Sequence, residues 1–467
     1  MAIPALAVLF SSCGKDDPDN PELSARNYLR DNYFNVYYYW NDVVAEKNAR
    51  ISPMRYDSMD SYFHALLYSA DRWSWMEDAA SYVSSSTGTV TGGSYGVSFV
   101  QPVGDFGDYR VWVRYVYPGS PMETFGVTRG AQLTSVSDVD ISDGFKTQDQ
   151  IDRYNAAMKV SPQRFSFRLA DGRDTSFTVA WKNPFTIDYV LRTEVFRPGD
   201  FYGLREPVGY LHYLSFNAYH IPALCRAMQT LKDAGVKKLI LDLRYNGGGD
   251  ARASDTLVSF IAPPASKGKP YVSRVHNSIL REQGFDETFY IADNPGNLGL
   301  DGLYFIMGGG SASATEMVFN GVRPYMRGAV HHVGRTTYGK PNGMYVLMYP
   351  GGKSDYEAYG RNDYSRLQYA YYPIAFYNRN SSGELIPDSG FAPESTRGDD
   401  VYHDFGVEEG DIRACLYHIV NGTFPQESAL QNVSGNETWR NGTMSGALLP
   451  EEKTNTFYGT YKVQLFK

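Results

Sequence analysis

The spacing of hydrophobic and polar positions predicts helices in the first fifth of the chain. Between residues 23 and 91, Leu29, Val36 and Trp40 recur at intervals that place them on one face of a helix. A second helix is predicted to open near Asp57 or Ser58 and to present Phe63 to a core. These aromatic side chains are most simply part of a hydrophobic core.

The pattern changes twice further along. From Gly92 to about residue 182, short alternating strands are separated by Gly, Pro and Asp turns. From about 183 to 425, strands alternate with amphipathic helical patterns, which favours an α/β core. We therefore predict a multidomain α/β (α+β) protein, with the following parts: a signal segment and tether (1–22), an N-terminal helical domain (23–91), a β-rich domain (92–182), an α/β core (183–425) and a polar C-terminal extension (426–467).

The first residues are typical of an export signal. Residues 2–10 form a short apolar run that is too short to span a bilayer but suits the hydrophobic region of a signal peptide. Small residues precede Cys13, as in bacterial lipoprotein signals, and an acidic tether follows it. We expect lipidation at Cys13 and a location in the bacterial cell envelope, on the outer membrane, facing the periplasm or the surface. The alternatives are an ordinary signal peptide with an incidental Cys and a buried first strand.

Length and composition exclude several classes of protein. The 467 residues suggest roughly three domains. The net charge of −8 argues against a nucleic-acid binder. Three cysteines cannot build a disulfide framework or a four-cysteine zinc site, and the eight histidines show no metal-ligand spacing, so we predict no metal site.

Three segments of the predicted α/β core combine buried strands with residues that can do chemistry. In LDLRYNGGGD (241–250) a strand runs into three glycines, which can present backbone N–H groups to an anion or simply form a tight turn. In LYFIMGGGSASATEMVFNGV (303–322) a strand, a glycine run and small hydroxyl residues precede an apparent helix. A serine at that junction lies at the positive end of the helix dipole. The third segment, VGRTTYGKPNG (333–343), places a lysine in a glycine-bounded loop.

Together with GYLHYLSF (209–216), these segments resemble, in this order, the C-terminal-processing (tail-specific) serine peptidase family. The resemblance implies a Ser/Lys dyad without a cofactor, in which Ser313 is the nucleophile and Lys340 the base. It also implies that the amides of Gly248 and Ala314 form the oxyanion hole. The residues expected to support this site are Glu316, Thr337 and Gly247.

The dyad is chemically reasonable because burial lowers the pKa of a lysine, so a desolvated Lys340 could take a proton from Ser313. The alternatives are an N-cap role for Ser313 and a solvated loop position for Lys340. Glu316 could do no more than complete the first helical turn. His331 and His332 invite a Ser/His interpretation, but adjacent strand residues point to opposite faces, so at most one could face the site.

One position departs from the family pattern. Many members carry a Gln four residues after the lysine, where this chain has Met344. The departure favours a second hypothesis, a catalytically weak or inactive peptide-binding scaffold of the same fold. A third, a carbohydrate- or lipid-handling surface lipoprotein, rests only on aromatic richness and the predicted anchor.

The β-rich region resembles the PDZ domain of these peptidases, and the alternative is a generic β-rich insert. The resemblance rests on Tyr95, Gly96, Val97 and Ser98 and on VRYVYPGSPMETFGVTRGAQLTSV (113–136). PDZ domains add a peptide strand to a sheet edge and hold its C-terminal carboxylate. The expected partners are therefore protein or peptide substrates, recruited by their C-terminal tails. We expect membrane contact through the lipid anchor only and no binding of nucleic acid. The sequence leaves the oligomeric state open.

Overall fold

The computed structural model describes residues 20–33 and 36–425 and the two-residue strand at 460–461. Cys13, the predicted signal segment and nearly all of the predicted C-terminal extension lie outside the described residues. The α-helices are α1 (Pro21–Tyr28), α2 (Ala45–Asn48), α3 (Met59–Leu66), α4 (Ala79–Thr87), α5 (Val103–Phe106), α6 (Gln148–Ala157), α7 (Ile221–Asp233), α8 (Ala251–Ile261), α9 (Ser278–Glu282), α10 (Ala314–Val322), α11 (Lys353–Gly360) and α12 (Gly410–Asn421).

The strands fall into five sheets. They are β1 (Trp75–Asp78), β2 (Thr89–Val90), β3 (Val97–Val100), β4 (Val111–Val116), β5 (Gln132–Val136), β6 (Val139–Asp140), β7 (Gln163–Arg168), β8 (Asp174–Val179), β9 (Phe185–Thr186), β10 (Val190–Phe196), β11 (Val208–Tyr213), β12 (Lys238–Asp242), β13 (Pro270–His276), β14 (Glu287–Tyr290), β15 (Gly302–Met307), β16 (Val330–Gly334), β17 (Asn342–Tyr345), β18 (Leu347–Tyr349), β19 (Tyr369–Tyr372), β20 (Ile374–Asn380), β21 (Ser395–Thr396) and β22 (Thr460–Tyr461).

The central sheet has the order β10-β11-β12-β15-β16-β21, and its last five strands are parallel. β11 and β15 are buried along their whole length, as expected for strands covered on both faces. Helix α7, which connects β11 to β12, presents one apolar face to the sheet and buries Leu224, Met228 and Leu231. This arrangement confirms the predicted mixed α/β fold.

The N-terminal helices share a core with distant strands. Leu29 of the first helical segment and Phe63 of α3 belong to one buried cluster with Leu347, Tyr371 and Phe376. α3 begins at Met59 with Ser58 as its N-cap, as the sequence predicts. The N-terminal segment therefore contacts the α/β core directly. Across the described ranges, no helix is both long and apolar enough to cross a membrane.

The β-rich region contains a six-stranded antiparallel sheet, in which five strands follow the order β3-β4-β5-β7-β8 and the sixth, β6, pairs with β5. β3 therefore lies at an edge of this sheet. The region also contains α6, which the strand-like interpretation of the sequence missed. The signal for this helix is present: Thr147 and Gln150 form a capping box at its start.

Candidate active site

The site lies where three neighbouring parallel strands end. β12 runs into the glycine turn of residues 246–249, β15 into the turn before α10, and β16 into the loop that carries Lys340. Because parallel strands deliver their carboxyl ends to one edge of a sheet, the three segments singled out in the sequence meet there. Hydroxyl groups join two of them: Ser311 Oγ donates to Leu243 O at 2.8 Å, and Thr315 Oγ1 donates to Asn246 O at 2.8 Å.

Ser313 has a backbone conformation that serine rarely adopts. Its φ is +56° and its ψ is −113°, and it immediately precedes α10. A non-glycine residue at positive φ costs on the order of 1–3 kcal/mol and persists only where the surroundings enforce it. Here the enforcing contacts include the bonds of its neighbours Ser311 and Thr315. The side chain is 5% exposed, so the hydroxyl lies just below the surface, beside the positive end of the helix dipole.

The glycine turn backs directly onto Ser313. Gly248 has φ +110°, and a Cβ there would lie 2.9 Å from Ser313 Cβ and 3.0 Å from the Ala314 nitrogen. Ala314 is the first residue of α10, so its amide N–H has no acceptor within the helix. The predicted oxyanion pair is therefore adjacent in space. The Gly248 amide, however, donates to Asn246 Oδ1 at 2.9 Å, so in this structure it is already engaged. Gly247 is buried in the same turn.

The Glu316 carboxylate connects the serine to the lysine loop. Oε2 accepts from the amides of Ser313 and Lys340 at 3.0 and 2.9 Å, so these two nitrogens are no more than about 6 Å apart. Oε1 accepts from Thr337 Oγ1 at 2.6 Å and the Gly339 amide at 2.8 Å. Burial raises the pKa of Glu316, and these four donors pull it the other way. Glu316 thus caps the helix, as one alternative had it, and also holds the lysine loop in place.

Lys340 is a buried amine in a largely apolar setting. It is 1% exposed, and Nζ lies 3.5 Å from Met344 Sδ. Burial holds its pKa well below the ordinary range of lysine, and the charges of Asp71 and Glu316 offset this only in part. The structure therefore excludes a solvated loop position for this side chain. It also shows that residue 344 reaches the lysine, with a thioether where the family commonly has an amide.

A buried charged network, which sequence reasoning missed, supports the end of β12. Arg244 donates to Asp242 at 2.7 Å, and Tyr245, at φ +64°, accepts from Arg129 of the β-rich region at 2.9 Å. Asp399 is also part of the network: burial alone would raise its pKa, but Arg129 and Arg244 hold it well below the usual range. Two residues separate Tyr245 from Gly248, so the β-rich region contacts the segment that shapes the glycine turn.

The two histidines on β16 point to opposite sides, as strand alternation requires. His331 Nδ1 lies 2.9 Å from Glu394, and its ring packs against Tyr304. His332 is buried against Phe319, well along α10, and burial lowers its pKa to about 4. No group of three or more His, Cys, Asp or Glu side chains in the described part of the chain could hold a metal ion.

The residues predicted to bind peptide lie at the edge of the β-rich sheet. Val97 and Ser98 begin β3, and Tyr95 is buried, with its hydroxyl donating to Val160 O. Gly96 has φ +71°, and a Cβ there would collide with Ser120. Its amide donates to Ser94 Oγ at 3.0 Å. In the described sheet β3 pairs with β4 on one side, and residues 95–99 are buried.

An α/β sheet that gathers a strained serine, a buried lysine and a glycine turn at one edge is suited to acyl transfer. Residues 207–392 match the model of peptidase family S41. The matched segment contains Ser313, Lys340 and Gly248, so the part of the chain that holds the site is similar to a family of peptidases. No curated protein sequence matches the chain.

A solved structure shows the same fold. The chain is similar to a putative S41 protease from Bacteroides fragilis, with 19% identity, a TM-score of 0.65, and coverage of 85% of this chain and 97% of that one. It also resembles, at TM-scores below 0.5, the photosystem II D1 C-terminal processing protease (16% identity, 75% and 85% coverage, TM-score 0.39) and mature CPAF (10% identity, 86% and 98% coverage, TM-score 0.42).

Proposed function

We propose that the protein is a serine endopeptidase in which Ser313 is the nucleophile and Lys340 the general base. The observation that carries this proposal is the Glu316 carboxylate, which accepts from the amides of both residues and so fixes them side by side. The burial that lowers the pKa of Lys340 supports it, because only a neutral amine can accept the serine proton.

The reaction follows from these positions. Ser313 Oγ attacks the carbonyl carbon of the scissile peptide bond while its proton moves to Lys340 Nζ. The tetrahedral intermediate then collapses, the C–N bond breaks, and the ammonium of Lys340 gives its proton to the leaving amine. A water molecule then attacks the acyl-enzyme while one of its protons moves to Lys340 Nζ. The ester C–O bond breaks, the acyl group leaves as a carboxylic acid, and Lys340 returns the proton to Ser313 Oγ. General-base help of this kind typically contributes about 10²–10⁴ in rate.

The developing oxyanion is stabilised by the Ala314 amide at the N-terminus of α10. The Gly248 amide is the second donor, and it serves only when its hydrogen bond to Asn246 is shared or released. Removing one such donor costs about 10²–10³ in rate. The arrangement therefore has a resting state in which half of the oxyanion hole is occupied by the protein itself.

Substrates are proteins or peptides whose C-terminal tails bind beside β3, an edge strand of the β-rich sheet. Tyr95, Gly96, Val97 and Ser98 form the binding segment. The lipid anchor at Cys13 would hold the enzyme on the bacterial envelope and limit its substrates to envelope or surface proteins. This part of the proposal rests on the sequence pattern of residues 2–13.

The proposal is tested by incubating an unfolded protein substrate with the wild-type chain and with Ser313→Ala and Lys340→Ala. We expect cleavage by the wild type and loss of cleavage in both variants, with circular dichroism confirming that each is folded. Cleavage that survives in Ser313→Ala would remove the assigned nucleophile.

A second candidate function is favoured by Met344 and by the engaged Gly248 amide: a scaffold of this fold that binds peptides without cutting them. A wild-type chain that cleaves nothing but binds peptides with a free C-terminal carboxylate, and not their amidated forms, would support it. The amidated peptide is the matched control, because it differs only in the group that the β3 edge would recognise.

A further inference from the structure

A loop from the N-terminal part of the chain lies against the lysine loop. This loop, residues 68–74, joins α3 to β1 and contacts the peptidase core at two points. The Arg72 guanidinium donates to Asp388 O at 3.1 Å, and Ser74 Oγ accepts from the Ile374 amide at 2.9 Å. Both contacts are with the immediate surroundings of Lys340.

Each contact point packs directly on the lysine loop. A Cβ at Gly339 would lie 2.3 Å from Asp388 O, so residues 339 and 388 touch through their backbones. On the other side, Ile374 pairs with Met344, whose sulfur contacts Lys340 Nζ. The loop of residues 68–74 is thus bonded to Asp388 and Ile374, the two residues that contact the lysine loop on either side of Lys340.

The charge that this loop brings is the Asp71 carboxylate. It accepts from Tyr37 Oη at 2.7 Å, from Ser74 Oγ at 2.6 Å, and from the amides of Trp73 and Ser74 at 2.9 and 3.0 Å. These four donors hold the carboxylate of Asp71 in a fixed position. Its field reaches Lys340, where it acts as the largest of the charges that oppose burial.

Glu316 also faces Lys340, but its position gives it a different task. Both of its oxygens are occupied by the backbone and by Thr337, so it fixes the loop. Tyr37 and Tyr39, the other titratable groups that sense Asp71, have raised pKa values through burial and stay neutral in the working range. Of the Asp71 and Glu316 charges that oppose the effect of burial on Lys340, that of Asp71 is the larger, and it comes from the N-terminal part of the chain.

We propose that Asp71 is a positioning residue that supplies the counter-charge for the ammonium formed when Lys340 takes the proton of Ser313. The inference rests on the proposed Ser/Lys function and extends it to a residue outside the matched S41 segment. It gives the N-terminal part of the chain a direct role in the chemistry, and it provides a polar partner for the lysine where Met344 offers only a thioether.

Asp71→Asn is expected to change both the pH dependence of kcat/KM and its plateau value. An opposite charge nearby typically raises the pKa of an amine by about one unit or more, so its removal should move the acid limb of kcat/KM to lower pH by about one unit. The plateau rate should fall by about 10- to 100-fold, because the ammonium of the transition state loses its counter-charge. Simple structural damage would lower the plateau without moving the limb.

The kinetic test compares the full chain with Asp71→Asn, Asp71→Glu and Asp78→Asn across the pH range. Asp71→Glu keeps the charge and should return the acid limb toward its wild-type position. Asp78→Asn is the matched control: Asp78 caps α4 through the Ser81 amide, asparagine caps helices equally well, and Asp78 is not among the charges that act on Lys340. If Asp71→Asn does not fold, Asp71→Ser removes the charge and leaves room for water. An acid limb that stays in place in the neutral variant would overturn the proposal.

A direct titration separates this inference from the proposed function. Lysines labelled with ¹³C at Cε are followed by NMR against pH, and the Lys340 signal is assigned by its absence in Lys340→Met. We expect its midpoint to fall in Asp71→Asn and not in Asp78→Asn, whether or not the chain cleaves a substrate. An unchanged midpoint would refute the role of Asp71, whereas a lowered midpoint in a chain without peptidase activity would refute the proposed function alone.

Discussion

Replacing Glu316 by Gln tests how the structure joins the serine to the lysine. The carboxylate accepts four hydrogen bonds, two on each oxygen, from Ser313, Lys340, Thr337 and Gly339. Glutamine keeps one acceptor oxygen and turns an NH₂ group toward the other two donors. Either the pair at Oε1 or the pair at Oε2 is then left facing a donor.

The expected cost follows from those four bonds. Each buried donor that loses its acceptor costs about 1–3 kcal/mol, and removing a buried charge recovers part of that sum. We expect a net loss of about 2–4 kcal/mol in the free energy of unfolding. Because a displacement of 1 Å at a catalytic group can cost about 10² in rate, kcat should fall by at least about that factor.

Urea unfolding gives the first quantity and cleavage of an unfolded substrate gives the second. Glu357→Gln is the matched control, since the Glu357 side chain is 57% exposed and pairs only loosely with Lys353. If Glu316→Gln lost about 1 kcal/mol of stability, the worth of an ordinary helix cap, and kept its rate, the carboxylate would be a cap and no more.

Three further predictions concern the same site. Lys340→Met should be more stable than the wild type at neutral pH, because the folded state disfavours the charged amine that the unfolded state keeps. The difference in stability should narrow as the pH approaches about 10, the pKa of lysine in the unfolded chain. Thermal unfolding at several pH values measures this difference, which would be absent if the lysine were solvated. Met344→Gln should move the acid limb of kcat/KM to higher pH, since an amide oxygen stabilises the ammonium better than a thioether does; an unmoved limb would mean that residue 344 does not touch the base. Gly248→Ala should abolish cleavage while a control at Gly268, whose Cβ would meet open space at a similar positive φ, should not, because only at Gly248 does the added methyl meet Ser313.

The sequence motifs predict the site where its contacts are local. In Ser311-Ala312-Ser313-Ala314-Thr315 the two outer hydroxyls, those of Ser311 and Thr315, bind backbone carbonyls just after the neighbouring strand β12. The hydrogen bond from the Gly248 amide to Asn246 could also be predicted from the sequence, because the side chain of Asn commonly accepts from the backbone amide two residues on in such turns.

The remaining contacts depend on the fold and leave no local signal. Asp71 lies 242 residues before Ser313 in a segment read as a separate helical domain, and only the shared core with β18–β20 brings it to the lysine. Glu316 shows its capping role in the sequence, but its bonds to Thr337, Gly339 and Lys340 exist because β15 and β16 are neighbours. Arg129 reaches Tyr245 for the same kind of reason, since the β-rich region packs on the end of β12.

The central claim is that Lys340 activates Ser313, and a covalent probe tests it most directly. A fluorophosphonate is incubated with the wild-type chain, with Ser313→Ala and with Lys340→Met, and the modified peptide is located by mass spectrometry. The account predicts an adduct on Ser313 in the wild type, none in Ser313→Ala, and labelling slowed by about 10²-fold or more in folded Lys340→Met. An adduct on another residue, or labelling of Ser313 at an unchanged rate without the lysine, would contradict it.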